Sequence, residues 1–187
     1  MTQPTAITDH DSQDAPSPWV TRFAPLIAPG GAVLDVAAGS GRHTRFMVER
    51  GHPVTAVDRD TAALAHEPGV TIVQADLEDG SPWPLAGRTF AGIVVTNYLH
   101  RPLFPRLLES LLPGGVLLYE TFARGNEQFG RPRNPDFLLK PGELLEAFAA
   151  LTVVAYEHGR VESPRPKVVQ RICAQAWPAT LNTPGGV

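Results

Sequence analysis

The chain has 187 residues, 43% of them apolar, and a net charge of -3 from 16 basic and 19 acidic side chains. That length suits one domain burying roughly two-thirds of the surface its unfolded chain would expose, and the charge balance argues against a broad positive field for nucleic acid. A lone cysteine, Cys173, excludes an intrachain disulfide framework and makes a thiolate metal cluster a poor reading, so no metal site is expected.

Residues 1–17 are rich in Thr, Gln, Asp, Ser and Pro and are expected to be a disordered leader without a secretory pattern. Ser17-Pro18 caps a predicted helix to about residue 28, with Trp19, Val20, Phe23, Leu26 and Ile27 on one face, and Pro29-Gly30-Gly31 ends it. A first strand follows at 32–37, then glycines and a helix at 42–50. A second strand covers 53–58, a short helix 61–67 and a third strand 70–75. Residues 80–87 form a loop, 90–96 a continuous apolar strand, and 103–112 a helix stopped by Pro113-Gly114-Gly115 before a fifth strand at 116–122. The polar stretch 123–141 is too long for an ordinary connection and is a candidate lid. A helix opening at Pro141-Gly142-Glu143 and running to about residue 150 precedes two antiparallel strands, 151–156 and 167–174. A single domain thus spans 18–176, with a flexible tail at 177–187. No segment approaches about 18 consecutive apolar residues, so no membrane span is expected and the cytoplasm is the default compartment.

The strands are nearly unbroken apolar runs, as in a parallel sheet covered by helices on both faces. The segment Val33-Leu34-Asp35-Val36-Ala37-Ala38-Gly39-Ser40-Gly41-Arg42-His43-Thr44 places Gly-x-Gly directly after a buried strand, where bare backbone admits a ligand. A dinucleotide fingerprint wants a third glycine where Thr44 stands, and Asp35 would repel a pyrophosphate while suiting a cationic ligand. Asp58 closes the second strand, where a carboxylate accepts from ribose hydroxyls. Asp76 closes the third, placed to accept from an adenine amino group while Leu77 packs against the ring.

The run 33–44, with Asp58 and Asp76 at those intervals, resembles the class I S-adenosylmethionine-dependent methyltransferases over about residues 19–175. Their first motif is an acidic residue followed by small residues at alternate positions, here Asp35, Ala37, Gly39 and Gly41, with Ala37 replacing the commoner glycine. The resemblance implies an α/β, doubly wound, Rossmann-like sheet of seven strands, mostly parallel with a C-terminal antiparallel edge pair, and helices on both faces. It implies S-adenosyl-L-methionine as cofactor, held by Asp35, Ala37, Gly39, Gly41, Asp58, Asp76, Leu77 and Asn97. The segments 97–104, 118–122 and 137–144 are further similar to the small bacterial tellurite-resistance-type methyltransferases, a grouping that does not name an acceptor.

In such a sheet the reacting centre lies above the strand ends, which makes Tyr98, His100, Arg101 and Glu120 the candidate catalytic residues. His100 has the titration range of a general base, and Glu120 either pairs with an arginine, Arg101 or one in the long loop, or touches the acceptor. Asn126, Phe129, Arg131, Arg133 and Asn134 are the loop residues available to close over the cleft. A small-molecule acceptor fits a chain that devotes nearly all its length to one sheet. Two functional readings stay open: a methyltransferase, and a non-catalytic or regulatory S-adenosylmethionine-binding protein. A nucleotide-dependent oxidoreductase is disfavoured by Asp35 and Thr44.

Overall fold

The computed structural model describes residues 15–64, 67–163 and 165–178. Residues 1–14 of the expected leader and 179–187 of the expected tail lie outside that set, as do Ala65 and His66 of the expected short helix. Seven strands form one sheet: β1 (Val33–Val36), β2 (Val54–Asp58), β3 (Val70–Gln74), β4 (Phe90–Thr96), β5 (Leu111–Phe122), β6 (Thr152–Val161) and β7 (Lys167–Gln175). Their order is β3-β2-β1-β4-β5-β7-β6. The first five run parallel, and β7 lies antiparallel between β5 and β6. Four α-helices accompany them: α1 (Pro18–Phe23), α2 (Arg42–Glu49), α3 (Phe104–Glu109) and α4 (Glu143–Ala147). The expected seven-stranded, doubly wound sheet is therefore present. Among the described residues, no helix is long and apolar enough to cross a membrane.

Alternation along each strand sorts the core into two layers. Leu34, Val36, Ile93, Val95, Leu117 and Tyr119 pack on one face with Leu107 of α3, Leu144 of α4 and Phe148, which caps α4. Val33, Val94, Val116, Leu118 and Cys173 face the other way, against Trp19, Val20 and Phe23 of α1 and Phe46 and Met47 of α2. Each such fully buried side chain contributes about 1.5–3 kcal/mol. The same alternation assigns three polar side chains to the α1–α2 face: Asp35 beside Val33, Thr96 beside Val94, and Glu120 beside Leu118.

Several elements end elsewhere than expected. The first helix stops at Phe23 and tightens into a 3-10 turn over Ala24–Leu26, because Pro25 has no N–H to continue the α pattern. The short helix after β2 is a 3-10 turn, Ala62–Leu64. Helix α3 ends at Glu109 because Phe90 N–H takes the Ser110 carbonyl at 2.8 Å. That bond draws Leu111 into register with Phe90, and the pairing shifts between Phe90 and Gly92 before resuming at Val116. Pro113-Gly114-Gly115 is therefore an irregularity inside β5. Helix α4 is half its expected length, and β6 runs on to Val161, paired with Lys167. His158 and Gly159 hide that extension in the sequence, since the ladder is held by backbone groups.

Candidate functional site

The strand order reverses between β1 and β4, and ligands of open α/β sheets bind outside the carboxyl ends at such a switch. Two clefts open there. The first, about 320 Å³, is lined by Ala37, Asp58, Arg59, Ala75, Asp76, Leu77, Glu78 and Tyr98. The second, about 390 Å³, is lined by Ala37, Ala38, Gly39, Ser40, Arg42, His43, Thr96, Asn97 and Tyr98. Ala37 and Tyr98 belong to both.

Backbone conformation marks the same place. Among the described residues, Ala37 (φ 53°) and Asn97 (φ 54°) are the non-glycine residues at positive φ, and they sit at the ends of adjacent strands. Such conformations persist only where surrounding bonds enforce them, and they gather at ligand sites. Here Ala38 N–H bonds the Val57 carbonyl at 3.2 Å and Asn97 N–H bonds the Glu120 carbonyl at 2.9 Å. Gly39 has φ 54°, and a Cβ there would meet no atom within 4 Å, so the position is open toward the second cleft. Gly41 differs: at φ 78° its added Cβ would strike Leu64, so this glycine lets the chain turn into α2 against a neighbour.

Asp58 accepts from Gly39 N–H at 2.8 Å with one carboxylate oxygen and from Asp60 N–H at 2.9 Å with the other. It thereby fixes the glycine loop to the end of β2. Asp76 accepts from Glu78 N–H at 2.9 Å, with Leu77 between them on the cleft wall. Burial, and after it the Glu78 carboxylate, pushes the Tyr98 phenol above its ordinary range.

Of the expected cofactor residues, Ala37, Gly39, Asp58, Asp76, Leu77 and Asn97 line these clefts, and so does Tyr98 from the expected catalytic set. Asp35 and Gly41 lie beneath them. Asp35 is 2% exposed and accepts from the Thr44 hydroxyl at 2.7 Å. Burial raises its carboxyl to about 6 against the pull of that bond. His100 lines neither cleft; it borders a larger hollow of about 600 Å³ with Trp83, Pro102 and Arg106, across the Ala75–Glu78 wall. Arg101 is bound elsewhere, to the Glu143 carboxylate and to the carbonyls of Asp136 (2.6 Å) and Leu138 (3.1 Å).

Glu120 does not meet Arg101 or a loop arginine. Its ion-pair partners are Lys167 (3.4 Å) and Arg171 (3.6 Å) of β7, and it accepts the Ser17 hydroxyl at 2.8 Å. The segment 123–141 is tied to the sheet by the Ala123–Leu139 bridge and lines neither cleft. Asn126, 1% exposed, accepts from Val168 N–H and donates to the Pro132 carbonyl.

Sequence reasoning missed His43. Two residues beyond Gly41 and one before Thr44, it sits in the first turn of α2 with its ring 1% exposed against Thr96 and Ser17. The available signal was its place on the helix turn that must face the strand ends.

Residues 8–175 match the family model described as a methyltransferase domain. Over 116 residues the chain is 35% identical to trans-aconitate 2-methyltransferase of Methylobacterium nodulans, covering 57% of this chain and 44% of that protein. It is 35% identical over 92 residues to the enzyme of the same name from Acidovorax sp., covering 46% and 36%. The chain therefore spans less than half the length of these curated relatives. Among solved structures it resembles TehB from Haemophilus influenzae with a TM-score of 0.70 at 18% identity, over 92% of this chain and 63% of that one. It also resembles the 1,6-didemethyltoxoflavin-N1-methyltransferase of Burkholderia thailandensis, solved with 1,6-didemethyltoxoflavin and S-adenosylhomocysteine, with a TM-score of 0.63 at 22% identity over 90% and 80%. At these identities the likeness to the solved structures is one of fold.

Proposed function

The chain belongs to the methyltransferase-domain family, and from that premise we propose that it binds S-adenosylmethionine across the two clefts and transfers its methyl group to a small molecule. The observation that carries this reading is the meeting of both clefts at Ala37 and Tyr98, on the strand ends that hold the described non-glycine residues at positive φ, Ala37 and Asn97. The donor set fits the cofactor. Asp58 would accept from the ribose hydroxyls, Asp76 from the adenine amino group, and Leu77 would pack on the ring. The Ala37–Gly39 backbone, with no side chain at Gly39, would line the path of the amino-acid end, with Asn97 opposite. When bound, the cofactor supplies a methyl group on a sulfonium, and the protein's part is alignment of the acceptor and exclusion of water.

The compact clefts and single sheet support a small acceptor. The segments 97–104, 118–122 and 137–144, with the fold likeness to TehB, favour a place among the small tellurite-resistance-type enzymes. The relatives named for trans-aconitate make that acid the first acceptor to try.

Calorimetric titration of the purified chain with S-adenosylmethionine, S-adenosylhomocysteine and NAD tests the proposal. The first two should bind and NAD should not; the reverse pattern sinks it. Asp58→Ala, if folded, should weaken S-adenosylhomocysteine binding at least tenfold, since charge-assisted hydrogen bonds contribute about 1.5–3 kcal/mol each. Turnover of radiolabelled S-adenosylmethionine with trans-aconitate, followed by product analysis, then separates a catalyst from a binding protein.

A further inference from the structure

The first half of the glycine loop is bonded to β2, by Ala38 N–H to the Val57 carbonyl at 3.2 Å and by Gly39 N–H to Asp58 at 2.8 Å. Its second half, Ser40-Gly41, is held from behind by Arg45 of α2. We propose that Arg45 is a positioning residue for the cofactor's amino-acid end, keeping the Ser40 carbonyl turned out of the second cleft. The inference rests on the proposed function, which lays that end along the glycine loop.

Arg45 stands in the first turn of α2, a turn with no acidic residue and no side-chain cap. A cation there opposes the helix dipole, so helix stability does not account for it. Side chains of a helix lean toward its N-terminus, which carries this guanidinium back over Gly41. There Nη1 donates to the Ser40 carbonyl at 2.8 Å and to the Glu67 carboxylate at 3.0 Å. Its two hydrogens are thereby divided between the loop and the chain after β2. A Cβ built on Gly41 would lie 3.3 Å from the same nitrogen and would strike Leu64. Arg45, Leu64 and Glu67 thus form a bracket behind the loop.

The bracket fixes one peptide. Arg45 lines neither cleft, so the carbonyl it holds points at a group outside both. The N–H of that peptide, on Gly41, donates to the Ala38 carbonyl at 2.9 Å. With both ends bonded, the Ser40–Gly41 peptide keeps one orientation. Without the outer bond it could reverse, because glycine crosses between the two halves of φ space at little cost. A reversed peptide would turn its carbonyl oxygen toward the second cleft, which Ser40 lines, and that partial negative charge would repel the cofactor's carboxylate. The nucleoside end, in the first cleft with Asp58, Asp76 and Leu77, would not meet it.

Two ligands separate the role from a general loss of structure. S-adenosylhomocysteine carries the amino-acid end, and 5′-methylthioadenosine has the same nucleoside and sulfur without it. Arg45→Met removes the donors and keeps an unbranched stem. In calorimetric titration it should weaken S-adenosylhomocysteine about tenfold and leave 5′-methylthioadenosine within about twofold of the wild type. Glu67→Gln withdraws one anchor of the guanidinium and should give the same selective loss at about threefold; it carries the test if Arg45→Met does not fold. Equal losses for both ligands, or unchanged S-adenosylhomocysteine binding, overturn the proposal.

Amide exchange without ligand reads the loop itself. Gly41 N–H should exchange roughly tenfold faster in Arg45→Met, while Ala38 N–H, bonded to β2, keeps its rate. Unchanged exchange at Gly41, or an equal rise at both amides, overturns the hold on the peptide. Wild-type protein that binds neither ligand would sink the methyltransferase reading and the amino-acid-end role with it, leaving exchange at Gly41 to judge Arg45's grip on the loop.

Discussion

Asp35 and His43 are buried on the same face of the sheet, and folding moves their proton affinities in opposite directions. Asp35 rises from 3.8 to about 6, chiefly by burial. Its favourable contribution is therefore complete below the unfolded value and is lost as pH rises through about 6, a change on the order of 3 kcal/mol. His43 falls from 6.5 to about 3, again chiefly by burial. Its contribution is complete above the unfolded value and is lost as pH falls toward 3. Between about pH 4 and 6 the two slopes oppose each other and partly cancel. Urea unfolding followed by circular dichroism should show this in single variants. The stability of Asp35→Asn relative to wild type should climb across that window, and that of His43→Gln should decline. Slopes of the same sign would show that one of the two groups is not held as described.

Elements were legible where hydrophobicity speaks and obscure where register decides. The central strands stood out as apolar runs, and the clefts' aspartates stood out at strand ends. The direction of Asp35 and Glu120 did not, because strands buried on both faces lose the alternation that would assign a side. Only pairing supplies it: Asp35 aligns with Val94 and Glu120 with Thr96. Arg101 was hidden for a related reason, since its partner Glu143 lies 42 positions away with no local pattern linking them. From the 3-10 turn before α3 this guanidinium holds the start of α4 and the carbonyls at the end of the 123–141 segment. Arg101→Ala should therefore speed amide exchange across 136–144 and lower stability by about 2 kcal/mol or more. S-adenosylhomocysteine affinity should stay within about twofold, because no residue of that segment lines either cleft. Arg101→Lys should not restore protection, as an ammonium cannot reproduce the fork geometry. Lost cofactor binding in a folded Arg101→Ala protein would bring this arginine back into the site.

On the scale of the whole molecule, the sheet is two halves joined at β1 and β4, and the clefts are formed by the loops leaving both. Asp58 ties the glycine loop to the end of β2 and with its carbonyl accepts from Ala75 N–H at the end of β3, while the Asn97-Tyr98 turn is bonded to β5 through Glu120 and Tyr119. A ligand lying across all of them adds bonds shared with the Asn97-Tyr98 turn, so binding should stiffen the carboxyl edge far more than the antiparallel edge. At a hundredfold excess over Kd, a ligand selective for the native state stabilises it by about 2.7 kcal/mol. For a domain of this size each kcal/mol moves Tm by about 2–4 °C, so S-adenosylhomocysteine should raise Tm by roughly 5–10 °C. The accompanying loss of amide exchange should concentrate at 37–41, 58–60, 75–78 and 97–98. Strand β6 is bonded to β7 alone and lies farthest from the switch point, so its exchange should change only by the global increment. A Tm shift with protection spread evenly over the sheet would place the ligand elsewhere, and protection confined to 74–84 and 100–106 would move it to the hollow beside Trp83 and His100.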